Sequence, residues 1–236
     1  MLLVFALAFA DESTLTYDVV VGGHDVGDRT VTVRYLPRED GERRILSVLT
    51  KADLPLGAVN CRQSGQSSPR GATFTTSIQV GGAVSEVQGI EAPDGGWQLV
   101  IADNDGVHES TLKARDVHFT TLDLFDPGRT RLLTDAGPVG VLVAETGGVL
   151  TGTLSAGEAT TVKIGGKPVP GTRYSLKGEA GSADFVVDST GFLLSSDLAL
   201  FGTTVRSVVT HAPEARTIGT IEVVDGPGAG TSETEL

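Results

Sequence analysis

Residues 15–35, LTYDVVVGGHDVGDRTVTVRY, decide how this chain folds. Leu15, Tyr17, Val19 and Val21 fall on one side of a two-residue repeat, with Thr16, Asp18 and Val20 on the other, which is the spacing of a β-strand and not of a helix. Gly22-Gly23-His24-Asp25 then supplies residues that tolerate positive φ, and the alternation resumes through Val31, Val33 and Tyr35. The segment predicts a β-hairpin.

The same grammar continues outward. Pro37 to Gly41 (PREDG) forms a second turn, and residues 44–51 (RILSVLTK) form a third strand that completes a meander. Residues 52–71, with NCRQSGQSSPRG inside them, are polar and rich in Ser, Gly and Gln, and predict a long loop. Strands follow at 73–80, 84–90 and 97–102, parted by Gly81-Gly82 and Pro93-Asp94-Gly95-Gly96; the turn DNDG at 103–106 leads to one more at 110–114. Helical spacing occurs once, over 117–133, where Phe119, Leu122 and Phe125 cluster before Pro127-Gly128 stops the run. Strands return at 139–145, 149–154, 160–164, 172–179, 183–188, 192–201, 203–211 and 217–224.

This pattern predicts an all-β chain whose strands form a strongly curved antiparallel sheet or half-open β-barrel. An α+β variant with one short helix, in which residues 117–133 cap or plug the sheet, stays open at this point. Residues 11–224 read as a single β-rich domain, and the polar residues 225–236 (DGPGAGTSETEL) as a disordered tail. Residues 1–10, MLLVFALAFA, are apolar and end in Ala-Phe-Ala before Asp-Glu-Ser, the small-x-small pattern of a signal peptide without its usual positive start. They imply an exported protein, periplasmic or secreted. No run approaches the roughly 20 apolar residues of a membrane-spanning helix.

With 39% hydrophobic residues the chain has the means to fill a core, yet aromatics are only 5%, so burial rests on Val, Leu and Ile. Its net charge is −12, and the 18 Lys and Arg residues are scattered rather than striped. That distribution argues against nucleic acid as a partner.

Motifs for catalysis are missing from the text of the chain. Cys61 is the single cysteine, set in polar surroundings with no histidine near it in sequence, and reads as structural. His24, His108, His118 and His211 stand alone, without the paired spacing of a metal site. Asp103-Asn104-Asp105-Gly106 opens like a calcium loop but has Ala114 where the bidentate carboxylate belongs. Asp188-Ser189-Thr190-Gly191 occurs once and reads as a turn, where an aspartic protease needs two facing carboxylates. No serine lies in a nucleophile elbow. The expectation is a protein that is not an enzyme, with no metal and no cofactor.

Tyr17-Asp18-Val19, Gly23, Val26-Gly27 and Val31-Thr32-Val33 resemble the opening of uncharacterised exported bacterial β-proteins similar to the lipoprotein carriers LolA and LolB. Arg173 to Gly178 (RYSLKG), Phe185 to Asp188 and Gly191 to Leu194 resemble their closing strands, so the likeness spans most of residues 15–209. The resemblance implies a half-open barrel whose concave side holds an acyl chain or another apolar ligand. The sequence departs from the carriers in its few aromatics, and no defined ligand contact transfers.

The expected function is therefore that of a non-enzymatic binding protein for a lipid or other apolar molecule. Val19, Val31, Val33, Leu46, Trp97, Leu99, Phe185 and Leu194 are the candidate lining residues, since burying each methylene contributes about 0.8 kcal/mol without any exact polar site. The competing expectation is a structural or interaction module of the cell envelope that pairs with a partner protein through exposed strand edges.

Overall fold

A computed structural model describes residues 11–38, 41–54, 57–130, 136–179, 181–200 and 203–210. The signal-like segment, the expected strand at 217–224 and the polar tail lie outside the described residues.

The chain first builds an antiparallel meander of eight strands: β1 (Asp11–Val21), β2 (His24–Arg38), β3 (Gly41–Leu54), β4 (Gly57–Ser68), β5 (Gly71–Val80), β6 (Ala83–Glu91), β7 (Trp97–Asp103) and β8 (Gly106–Leu112). A crossover follows. It consists of two 3₁₀ turns (Ala114–Asp116 and Thr121–Phe125), the two-residue β9 (Phe119–Thr120) between them, and the single-turn helix α1 (Pro127–Thr130). The second arm contains β10 (Gly137–Val143), β11 (Gly148–Leu154), β12 (Glu158–Ile164), β13 (Lys167–Gly178), β14 (Gly181–Val187), β15 (Leu193–Leu200) and β16 (Thr203–Val209).

The sixteen strands of the described residues belong to one sheet, in the order β8-β7-β6-β5-β4-β3-β2-β1-β16-β15-β14-β13-β11-β10-β9, with β12 paired to β13 beside that path. The two arms are joined where β1 meets β16, with Tyr17 opposite Val209 and Val19 opposite Ser207. Every pairing is antiparallel except the short parallel contact of β9 with β10. β8 and β9 end the sheet without pairing to each other, so it is curved and unclosed.

Curvature has identifiable causes. Register shifts interrupt the β1/β2 pair at Val19/Val20 and the β14/β15 pair at Val186/Val187, and such bulges sharpen the local twist. Gly89 on β6 lets the Phe74 ring lie flat on the backbone: a Cβ there would stand 2.2 Å from Phe74 Cε1. Beside it Phe74 and Trp97 pack with ring centroids 5.4 Å apart.

Two-residue periodicity sorts the side chains as the sequence implied. Tyr17 and Val19, Val31 and Val33, Leu46 and Val48, Val59 and Cys61, and Trp97 and Leu99 are buried in one continuous core. The crossover fills the concave side of the sheet, burying Leu122, Leu124 and Phe125. Full burial of such a side chain contributes about 1.5–3 kcal/mol. Phe125 meets the Tyr17 ring edge-on at 5.7 Å, and the Tyr17 hydroxyl donates to the Leu193 carbonyl at 3.0 Å, which ties both arms to the crossover.

Two expectations need correction. Residues 52–71 are not a loop: β3 runs on to Leu54 and β4 occupies Gly57–Ser68, with an inward Gln63 that donates to Thr76 Oγ1 at 3.4 Å. Polar composition there records a polar interior position and a solvated outer face. β8 begins at Gly106, directly after the DNDG turn, and not at residue 110. Residues 117–133 contain, in their described part, β9, a 3₁₀ turn and one helical turn, the short helix or turn that their spacing implied, within a sheet that is otherwise all β. The Asp188 turn is a hairpin turn as expected, its Oδ1 accepting from Thr190 N, Thr190 Oγ1 and Phe192 N.

Candidate functional site

The concave face and the segment that fills it make the candidate site. Thr120 starts the filling segment through a reciprocal cap: its hydroxyl accepts from Asp123 N at 3.2 Å while Asp123 Oδ2 accepts from Thr120 N at 2.7 Å. Asp126 ends it, accepting from Arg44 Nη1 on β3 at 3.1 Å. From the opposite side Thr121 Oγ1 donates to Glu145 Oε2 at 2.9 Å and accepts from Ala144 N at 3.0 Å. Ala144 and Glu145 belong to the β10–β11 turn, which reaches across the concavity until Gly147 lies against Ile101 and Val87 of the other arm. The crossover is thus held by three polar clips and an apolar underside.

Three small voids lie around it among the described residues. The first, about 40 Å³, lies between the crossover residues Leu122, Asp123 and Asp126 and a wall that includes Val33, Leu46, Phe74 and Trp97. A second, about 30 Å³, is bordered by Val19, Arg29, Thr50, Cys61, Glu145 and Val205. The third, about 20 Å³, sits among Phe119, Leu124, Val141 and Phe185. A single water needs about 10–15 Å³ on this measure, and a benzene-sized guest about 150 Å³. Each of these three voids accommodates a few waters and no acyl chain.

All eight residues singled out from the sequence are buried on this interior. The structure separates them, however. Val33, Leu46 and Trp97 share the first void, Val19 borders the second and Phe185 the third, while Val31, Leu99 and Leu194 border none of these three.

Polar interior residues are what sequence reasoning missed. Arg29 is only 4% exposed. Its Nε donates to Thr50 Oγ1 at 2.9 Å, its Nη1 to Ser207 Oγ at 3.2 Å, and its guanidinium lies 5.4 Å from the centroid of Phe125. Strand register explains the cluster: Arg29, Thr50, Cys61 and Ile78 are directly opposed on β2, β3, β4 and β5, forming one row across the inner face. The signal was present, because stepping back two residues from Val31 along the alternation lands on Arg29. Glu145 had no comparable signal, since its burial depends on where the β10–β11 turn comes to rest.

Burial governs the titrating groups. The Cys61 thiol is pushed up to about 12 by burial and, to a lesser degree, by Glu145, with Arg29 opposing. It is a protonated, unreactive thiol at neutral pH. The Asp123 carboxyl is raised above the ordinary aspartate range by burial, against the opposing bonds from Thr120 and the charge of Arg129. Burial also raises the Tyr17 hydroxyl. Among the described residues no three His, Cys, Asp or Glu side chains converge on one point.

Among solved structures, the chain is similar to a β-barrel-like protein of a domain of unknown function, DUF1849, from Brucella abortus: TM-score 0.53 at 12% identity, covering 86% of this chain and 97% of that one. At that identity the likeness establishes a β-barrel-like fold. No family model and no curated protein matches the sequence.

Proposed function

We propose that this chain is an exported, non-enzymatic binding protein that takes an apolar ligand of lipid character on the concave face of its sheet, in the manner of the LolA- and LolB-like carriers. One observation carries the reading: the concavity is filled by a short crossover that joins the ladder only through the two-residue β9, and not by a second sheet. Withdrawing residues 114–130 breaks the two-residue β9/β10 contact and the bond from His118 N to the Gly140 carbonyl, and exposes a largely apolar wall that includes Val31, Val33, Leu46, Trp97 and Leu99. Because these three voids are small, loading at any of them requires that withdrawal. Apolar burial then offsets the lost contacts of Leu122, Leu124 and Phe125.

Trp97 is the sole tryptophan, which makes it a built-in reporter beside Leu122. Titration of the full chain with a fatty acid or phospholipid should shift Trp97 emission, and native mass spectrometry of protein from its own host should find lipid retained in stoichiometric amount. A lipid-free protein whose Trp97 emission ignores every amphiphile sinks the reading.

A second reading, an interaction module of the cell envelope, is favoured by β8. Its residues are exposed on both faces, it ends the sheet, and Val107, 69% exposed, lies on the same outward face as Val100 of β7 and Ile90 of β6. An edge of this kind accepts a partner strand. Val107→Lys should then abolish capture of a stoichiometric envelope protein while leaving Trp97 emission unchanged.

A further inference from the structure

The sheet has two ends, and they are finished differently. β9, at one end, is two residues long and pairs parallel to β10, too short to receive a strand. β8, at the other, is seven residues long, contains no lysine or proline, and keeps an unbroken register with β7 from Gly106 to Leu112. Of the devices that ordinarily keep a free edge from pairing, namely shortness, lysine, proline and a bulge, β8 has none. Among the described residues nothing pairs with its outer side. Antiparallel pairing to β7 engages the backbone groups of alternate residues only, so the N–H and C=O groups of the others point away from the sheet. Around that edge the charge is one-sided. Residues 71–112, which run from β5 to β8, carry six Asp and Glu and no Lys or Arg. Val107 and Glu109 share the outward face of β8, and strand pairing places Ala102 and Val100 of β7 opposite them.

From this arrangement we propose that β8 is the docking edge for an extended, basic segment of a partner protein. The segment pairs with β8 along its backbone, setting a lysine or arginine opposite Glu109 and an aliphatic side chain opposite Val107. The inference rests on the second reading above and names the chemistry of its partner. Side chains on one face of a strand recur every second residue, so the segment that fits has its basic and aliphatic residues two positions apart. The basic residue meets Glu109, and the aliphatic one extends the outward patch of Val107, Val100 and Ile90. A second copy of this chain is the poorer occupant. Pairing β8 with itself brings together two acidic stretches, neither of which holds a Lys or Arg to compensate the other.

The test titrates the full chain with a capped, fluorescently labelled peptide, Thr-Val-Thr-Lys-Thr-Val-Thr, and with the same peptide carrying Glu in place of Lys, reading anisotropy. The Lys peptide should bind about three- to tenfold more tightly than the Glu peptide, and the gap should narrow as salt is added. Glu109→Lys, checked for an unchanged melting transition, should reverse that preference, and the milder Glu109→Gln should reduce it. Backbone N-methylation separates strand pairing from charge attraction alone. Of two Lys peptides methylated on alternate residues in opposite phase, one loses its donors toward β8 and should not bind, while the other keeps them and should. The proposal is overturned if the Lys peptide does not bind, if the Lys and Glu peptides bind alike, if the two methylated peptides behave alike, or if Glu109→Lys leaves the preference unchanged. It is overturned as well if sedimentation finds the chain dimeric and Val107→Lys returns it to a monomer, which would give the edge to a second copy. Should any of the first four results come with an envelope protein whose capture still depends on Val107, the basic partner falls and the interaction module stands; without such capture both fall.

Discussion

Asp123 does two jobs that conflict. It caps the 3₁₀ turn of the crossover as a carboxylate, yet its surroundings favour the neutral acid, although 21% of the side chain's surface remains exposed. A folded-state pKa raised above the ordinary 3.8 means that the folded chain holds this proton to higher pH than the unfolded chain does. The stabilisation is therefore complete below pH 3.8 and is lost as pH climbs through the raised folded value. Asp123→Asn keeps an acceptor for Thr120 N and removes the titration. Urea unfolding midpoints of the wild type should fall relative to the Asn variant between pH 3.5 and 7; parallel curves would show that the group titrates alike in both states. Gly89 makes a steric argument at the same scale. With its Cβ position 2.2 Å from Phe74 Cε1, Gly89→Ala forces the ring away from Trp97 and should cost about 1–3 kcal/mol of unfolding free energy, together with a changed Trp97 near-ultraviolet signal.

The crossover is the element on which both stability and loading turn. Leu124 is 2% exposed and borders the void of about 20 Å³, so Leu124→Ala enlarges a space that already exists and should destabilise by about 2–5 kcal/mol. A denaturation midpoint unchanged by this substitution would mean that the crossover contributes nothing to the core. Much of this element's neighbourhood was legible in the sequence. Period two and glycine-bearing turns located the hairpins of β1, β2, β5, β6 and β7 because those signals are local. β4 escaped because Gln63 and Thr76 face inward as a hydrogen-bonded pair, which the sequence alone cannot distinguish from loop polarity. Arg29 was within reach of the same alternation that found Val31 and Val33. Glu145 and the clip it forms with Thr121 were not, since they arise where two arms meet, and no local pattern encodes that distance.

At the scale of the whole molecule, the seam between β1 and β16 decides whether the chain behaves as one unit or two. The first arm is a meander of local hairpins and the second is built mostly of hairpins, with β11 paired to β13 past β12, and the register of Tyr17 with Val209 is among the few ladder links between them. The core nonetheless runs across the seam: Tyr17 touches Phe125 of the crossover, its hydroxyl reaches Leu193 of β15, and Arg29 of β2 bonds Ser207 of β16. Those contacts make the arms mutually dependent and predict a single cooperative transition. Trp97 reports the first arm, and far-ultraviolet circular dichroism reports strands throughout, so the two urea curves should coincide. Val208→Pro tests the cause: β16 lies between β1 and β15, and Val208 is paired with Asp18 on one side and Ser195 on the other. A proline there removes a ladder donor from an interior strand and should cost about 3 kcal/mol or more, lowering both signals together. If Val208→Pro leaves the Trp97 transition in place while the dichroism loses part of its amplitude, the first arm folds without the second, and the shared interior is not what holds the sheet in its curve.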